Sequence, residues 1–168
     1  SDRDQLNPDT DLDVALLVRE LSNSADIEVL IVSLDSILSD DAAEDNLTLA
    51  SRDQLVMLSD YQDRADVLAP YMENLKRQAS IDALPAIVRS GGTVRFPGEY
   101  PLVKGMSVGD LINLSGGLIE SAYSQSAEIS RLDLSNPNSA VTSILITDLT
   151  RSASSVLAPA DYVEFRTI

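Results

Sequence analysis

Two stretches of this chain echo one another in the same order, and a duplicated segment restricts a fold more tightly than composition does. Leu118, Ala127 and Arg131 match Leu6, Ala15 and Arg19 at a spacing of 112 residues, and Ile129 answers Leu17 at the same spacing. Leu134-Ser135-Asn136 repeats Leu21-Ser22-Asn23 with a shift of one. Further along, Leu157-Ala158-Pro159-Ala160-Asp161-Tyr162-Val163 parallels Leu49-Ala50-Ser51-Arg52-Asp53-Gln54-Leu55 at a spacing of 108. The change of spacing places a longer loop in the first copy, where the acidic run Asp40-Asp41-Ala42-Ala43-Glu44-Asp45 supplies it. Residues 14 to 58 are therefore expected to superpose on 126 to 168, with Arg19 over Arg131 and Asp53 over Asp161. Arg19 and Arg131 would form equivalent ion pairs. The two Asp would be turn residues ahead of a last strand.

The local patterns fill in this frame. Residues 1 to 13 are polar and read as a loop. Val14 to Arg19 and Ile27 to Val32 are apolar runs joined by Ser22-Asn23-Ser24, a hairpin pattern. Asp63 to Ser80 reads as a helix, because Leu68, Tyr71, Met72, Leu75 and Ala79 share one face. Pro70 either opens that helix at its first turn or kinks it. Pro85 to Arg89 reads as a strand, Ser90-Gly91-Gly92 as a turn or bulge, and Val94-Arg95-Phe96 as a short strand. Pro97-Gly98 has the type II turn signature, with Gly98 at positive φ. Tyr100 to Val103 would be the returning strand. Ser107 is a natural N-cap with Asp110 three residues on. Met106 and Leu111 are spaced as a hydrophobic staple, and Gly116-Gly117 ends a helix over Val108 to Ser115. A hairpin, a helix and then further strands is the β-grasp order, within the α+β class.

Composition removes whole classes of function. The 168 residues carry 27 acidic and 12 basic side chains, for a net charge of −15. So acidic a chain repels phosphate backbones and anionic membrane surfaces, so no nucleic-acid partner is expected. The chain has no Cys and no His, which removes thiol nucleophiles, catalytic triads and zinc sites. Asp9, Asp11, Asp13 and Glu20 have calcium-loop spacing, but Val14 stands where the tight turn needs Gly, and a strand follows. Near pairs of carboxylates arise by chance among so many acids, and none is marked as an acid–base pair. No enzyme activity, cofactor or metal is expected. Aromatics are 4% with no Trp, so the cores must be built from Leu, Ile, Val and Ala. No apolar run approaches a membrane span, no signal peptide is visible, and the abrupt start at Ser1-Asp2-Arg3 reads as an excised piece of something longer.

The second copy resembles the soluble-ligand-binding β-grasp, or SLBB, family. The resemblance is carried by Gly92-Thr93-Val94-Arg95-Phe96-Pro97-Gly98-Glu99-Tyr100-Pro101-Leu102, Gly105-Met106-Ser107-Val108, Leu111-Ile112, Ser115-Gly116-Gly117-Leu118 and the closing Leu157 to Val163. Ala160 stands where the family usually has Gly, and Ser115 where it usually has Ala. The resemblance implies a complete SLBB β-grasp domain over 82–168. It also implies a spacer helix over 61–81 and the C-terminal half of a preceding SLBB-like repeat over 1–60. It further implies a non-catalytic periplasmic module of an outer-membrane polysaccharide export protein for capsule or exopolysaccharide. Such a module would meet polysaccharide and other components of the export machinery, and would join a homo-oligomer in the full-length protein. The alternative is a monomeric small-ligand or glycan receptor. Arg95, Glu99 and Tyr100, beside the Pro97-Gly98 turn, offer hydrogen bonds and an aromatic face to a glycan or partner. Pro97, Gly98, Ser107, Gly116, Gly117 and Asp161 are expected to be structural.

Overall fold

The run Val14-Ala15-Leu16-Leu17-Val18 is apolar at every position, and all five side chains are buried. A strand alternates its side chains between two faces, so both faces of this one are covered. It forms the middle of β1 (Thr10–Glu20) in a computed structural model that describes residues 6–22, 24–38, 48–80, 83–119, 126–133, 141–147, 149 and 155–166. The acidic run at 40 to 45 and the Leu134-Ser135-Asn136 match lie outside these residues. The chain divides into two units, residues 1–67 and 68–168.

In the first unit, β1 is flanked by β2 (Ile27–Val32) and β3 (Gln54–Ser59), both antiparallel to it. Leu17 faces Leu30 on one side and Leu55 on the other. β1 starts earlier than the sequence pattern suggests. Asp11 accounts for part of this: its carboxylate accepts from the Asp13 and Val14 amides and pairs with the buried Arg64 at 2.6 Å. The calcium-like spacing of Asp9 to Glu20 thus lies mostly on a strand, not in a ligand loop. A short helix, α1 (Leu34–Leu38), was not anticipated; the Ser33 hydroxyl accepts from the Ser36 amide at its start.

Helix α2 (Arg64–Gln78) carries the expected stripe, and Leu68, Met72 and Leu75 are buried. Pro70 lies inside the helix, not at its first turn. Six further elements make up the rest of the second unit: β4 (Ile87–Gly92), β5 (Gly98–Pro101), α3 (Val108–Leu114), β6 (Ser126–Leu132), β7 (Val141–Ile146) and β8 (Tyr162–Arg166). The strand order is β5-β4-β8-β6-β7. The central pair, β4 with β8, is parallel and the other pairs are antiparallel. Val88, Tyr100, Leu111, Leu114, Ile129, Val163 and Phe165 are core residues.

Three expectations about the hairpin are corrected. Ser90, Gly91 and Gly92 do not turn away from the sheet; they continue β4 and pair with Val163, Glu164 and Phe165. Gly98 is not at the positive-φ position of a type II turn. It begins β5 opposite Ser90, and its φ lies outside the left-handed region. Positive φ falls instead on Gly92, at 77°, where a Cβ would drive into the Phe165 carbonyl. Val94 to Phe96 is correspondingly not a strand of the sheet, although Val94 makes a single bridge to Leu118.

Helix α3 follows its sequence signals closely. The Ser107 hydroxyl accepts from the Asp110 amide at 3.2 Å, and the Asp110 carboxylate accepts from the Ser107 amide at 2.7 Å. Met106 and Leu111 are both buried, as a staple requires. Gly116 and Gly117 follow the helix at φ 78° and 85°. A Cβ at Gly116 would collide with the Phe96 ring, so this position needs Gly for space as well as for conformation. Ser115 is fully buried, and its hydroxyl donates to that of Ser90 on β4 at 3.0 Å. The two serines satisfy one another, which is why a hydroxyl is tolerated there.

Candidate functional site

One arrangement occurs twice. In the second unit, Arg131 of β6 grips the Asp161 carboxylate with two nitrogens, Nε at 2.9 Å and a terminal nitrogen at 2.6 Å. The same terminal nitrogen donates to the Val156 carbonyl, and Asp161 accepts from the Ala158 amide at 2.8 Å. In the first unit, Arg19 of β1 grips Asp53 at 2.9 and 2.7 Å and donates to the Thr48 carbonyl. Asp53 accepts from the Ala50 amide at 2.8 Å. Each Asp closes a turn in which its amide donates three residues back, to Ala50 or Ala158. The residue before each Asp is a non-glycine at positive φ, Arg52 at 74° and Ala160 at 64°. Asp161 and Asp53 are thus fixed structural partners of an arginine. The Arg19 hydrogen bond, helped by the Ala50 amide, holds the Asp53 carboxyl at about 2, below its ordinary 3.8.

Two neighbouring cavities border the five-stranded sheet, one of them against the face that carries Arg89, Tyr162 and Ser130. One, of about 480 Å³, is lined by residues that include Leu84, Arg131, Thr142 and Pro159. The other, of about 420 Å³, is lined by Arg89, Ser130, Leu132, Val141, Ala160 and Tyr162. Leu132 borders both. Sheet register explains the second set: Arg89 lies beside Tyr162, which lies beside Ser130, on three adjacent strands. The Arg89 guanidinium sits 5.8 Å from the centre of the Tyr162 ring, within cation–π range. The Tyr162 hydroxyl donates to Glu164, and that bond followed by burial raises its pKa, so the phenol stays neutral. The arrangement supplies a guanidinium, a hydroxyl and an aromatic ring to a polar ligand. It holds no nucleophile–base pair and, among the described residues, no cluster of potential metal ligands.

The residues singled out beside Pro97-Gly98 are not brought together as a sugar site. Tyr100 is only 2% exposed, and its hydroxyl donates to the Phe96 carbonyl at 2.5 Å. It is a core residue and shows no face to solvent. Glu99 pairs with Lys76 of α2 at 2.9 Å and raises the lysine pKa. Arg95 is exposed, and its amide donates to the Gly117 carbonyl. Sequence reasoning placed weight on residues adjacent along the chain. It missed Arg89, Ser130 and Tyr162, which only the strand register makes neighbours.

Taken by itself, the second unit is an α+β module with two neighbouring surface cavities. Residues 90–144 match the family model of the SLBB domain, so the chain carries an SLBB domain across the end of β4, β5, α3, β6 and the start of β7. SLBB domains form a ligand-binding family, not a catalytic one. No curated protein matches the chain significantly.

Proposed function

We propose that this chain is a non-catalytic module of a bacterial outer-membrane polysaccharide export protein, working in the periplasm. Residues 82–168 are a complete β-grasp domain, 61–81 a spacer helix, and 1–60 the C-terminal half of a preceding repeat. The observation that carries the reading is the SLBB match over 90–144, falling on a hairpin–helix–strand succession in a sheet whose first and last strands are parallel neighbours. The paired Arg–Asp arrangement supports the duplication. So does the register: Leu17 opposite Leu55 has its counterpart in Ile129 opposite Val163. Export machinery components and polysaccharide are the partners, and the full-length protein is a homo-oligomer.

The two cavities favour a second reading, a monomeric receptor for a small ligand or glycan. Solution mass and binding separate the two. An exporter module associates in the full-length protein, whereas a receptor binds saccharide as a monomer. Neither hydrolyses glycoside, phosphoester or peptide substrates. Reproducible turnover that a single Asp or Glu substitution abolishes would overturn both.

A further inference from the structure

In the second unit, β8 lies inside its sheet, between β4 and β6. Its Val163 and Phe165 are 0% and 1% exposed. Sheet register makes Leu55 and Met57 their counterparts in the first unit, since Leu55 faces Leu17 as Val163 faces Ile129, and Met57 faces Ala15 as Phe165 faces Ala127. Yet Leu55 and Met57 are 49% and 46% exposed, and among the described residues β3 is at the edge of its sheet. An apolar edge strand of this kind is a template for a further strand. The second unit shows what fits there. β4 runs parallel to β8, with Ser90 beside Val163 and Gly92 beside Phe165. The Arg89 amide donates to the Asp161 carbonyl, and the Thr93 amide donates to the Phe165 carbonyl.

We infer that the outer edge of β3 is a docking surface for a strand–turn–strand–helix segment built like residues 87–115, joined in the same polypeptide ahead of β1. The docked strand runs parallel to β3 and donates to the carbonyls of Asp53 and Met57, while its apolar side chains and its helix cover Leu55 and Met57. The corresponding segment of a second copy is already committed, because Val88, Tyr100, Leu111 and Leu114 are buried in their own unit. A covalently joined segment also acts at an effective concentration of roughly millimolar, which an intermolecular one rarely meets. The inference rests on reading residues 1–60 as the later half of a repeat.

The test grafts residues 84–117 directly ahead of Leu6, so that Gly117 precedes Leu6 as it precedes Leu118. Amide exchange across Gln54–Ser59 should slow on the order of 100-fold relative to the ungrafted chain. Leu55→Glu with Met57→Glu should abolish that slowing and leave the melting temperature of the ungrafted chain unmoved. Unchanged exchange in a folded graft would refute the docking, while the module reading, tested by turnover and solution mass, would stand. So would dimers of the ungrafted chain that the two glutamates dissociate, because β3 would then take a second copy. Unfolding of the ungrafted chain by the glutamates would also overturn the inference, by showing the face already covered.

Discussion

The sheets of the two units hold three strands each in the same pairing, β2-β1-β3 and β7-β6-β8, and differ in what covers them. Arg19 with Asp53 and Arg131 with Asp161 have matching bonds and matching turns. Beyond that the chemistry diverges. On the central strand of the first unit, Leu16 and Val18 are buried, while Glu128 and Ser130 occupy those positions on β6 and are half-buried. On the last strand the contrast runs the other way, with Val163 and Phe165 buried and Leu55 and Met57 exposed. Backbone register and an ion pair can therefore stay fixed while apolar faces are reassigned, because hydrophobic burial is non-directional and only needs a cover.

The sharpest way to break this contrast is at the last strand. Phe165→Ala should destabilise the second unit by about 3–5 kcal/mol, since it removes a fully buried ring. Met57→Ala should stay within about 0.5 kcal/mol, as an exposed surface change does. Chemical denaturation of both variants measures the gap, and equal effects would mean that the faces are not covered differently.

Next comes the shared ion pair. Asp161→Ala should cost about 3 kcal/mol, because it strands the Arg131 guanidinium and an amide beside a fully buried position. Acid sharpens the counterpart. The folded-state pKa of Asp53 is depressed, so its contribution is intact above the unfolded value near 3.8 and is lost as pH falls towards about 2. Amide exchange in β3 should therefore accelerate between pH 4 and 2 in the wild type. Asp53→Asn should exchange faster at neutral pH and lose that acceleration.

The smallest expected effect is a gain. Ala160 and Arg52 hold positive φ without being glycine, a conformation that costs an L-residue roughly 1–2 kcal/mol. Ala160→Gly should raise stability by about 1 kcal/mol, read as a higher melting temperature. Arg52→Gly should gain less, because it gives up the exposed pair with Glu20. A loss at Ala160 would show that the turn is not strained there.

Much of the local structure was legible in the sequence, and the reason is physical. The Ser107–Asp110 box, the Gly116-Gly117 exit and the helical stripe of α2 are short-range devices, encoded within a few residues. The equivalence of Arg19 with Arg131 and of Asp53 with Asp161 was visible as a coincidence of spacing in the repeat, but that each Arg grips the Asp of its own copy was not, because each Asp read only as a turn residue. Gly98 misled because Pro-Gly is a strong turn signal in isolation, whereas here Ser90 across the sheet holds Gly98 in a strand. Arg89, Tyr162 and Ser130 could not be found the same way. They are neighbours only through strand pairing, which the sequence does not announce.

The parallel pairing of β4 with β8 has a consequence for how the chain comes to be folded. Its middle strand is the last to be made, and its partner precedes it by some 70 residues. Ordering so long an intervening stretch before the central ladder can close is slow, as in other topologies rich in distant contacts. During synthesis β4 and β5 must wait with one edge bare until residues 162–166 leave the ribosome. A frameshift or cleavage just before Tyr162 would remove the strand that joins the two halves of the sheet, and would leave behind a hairpin and a pair of strands with nothing between them.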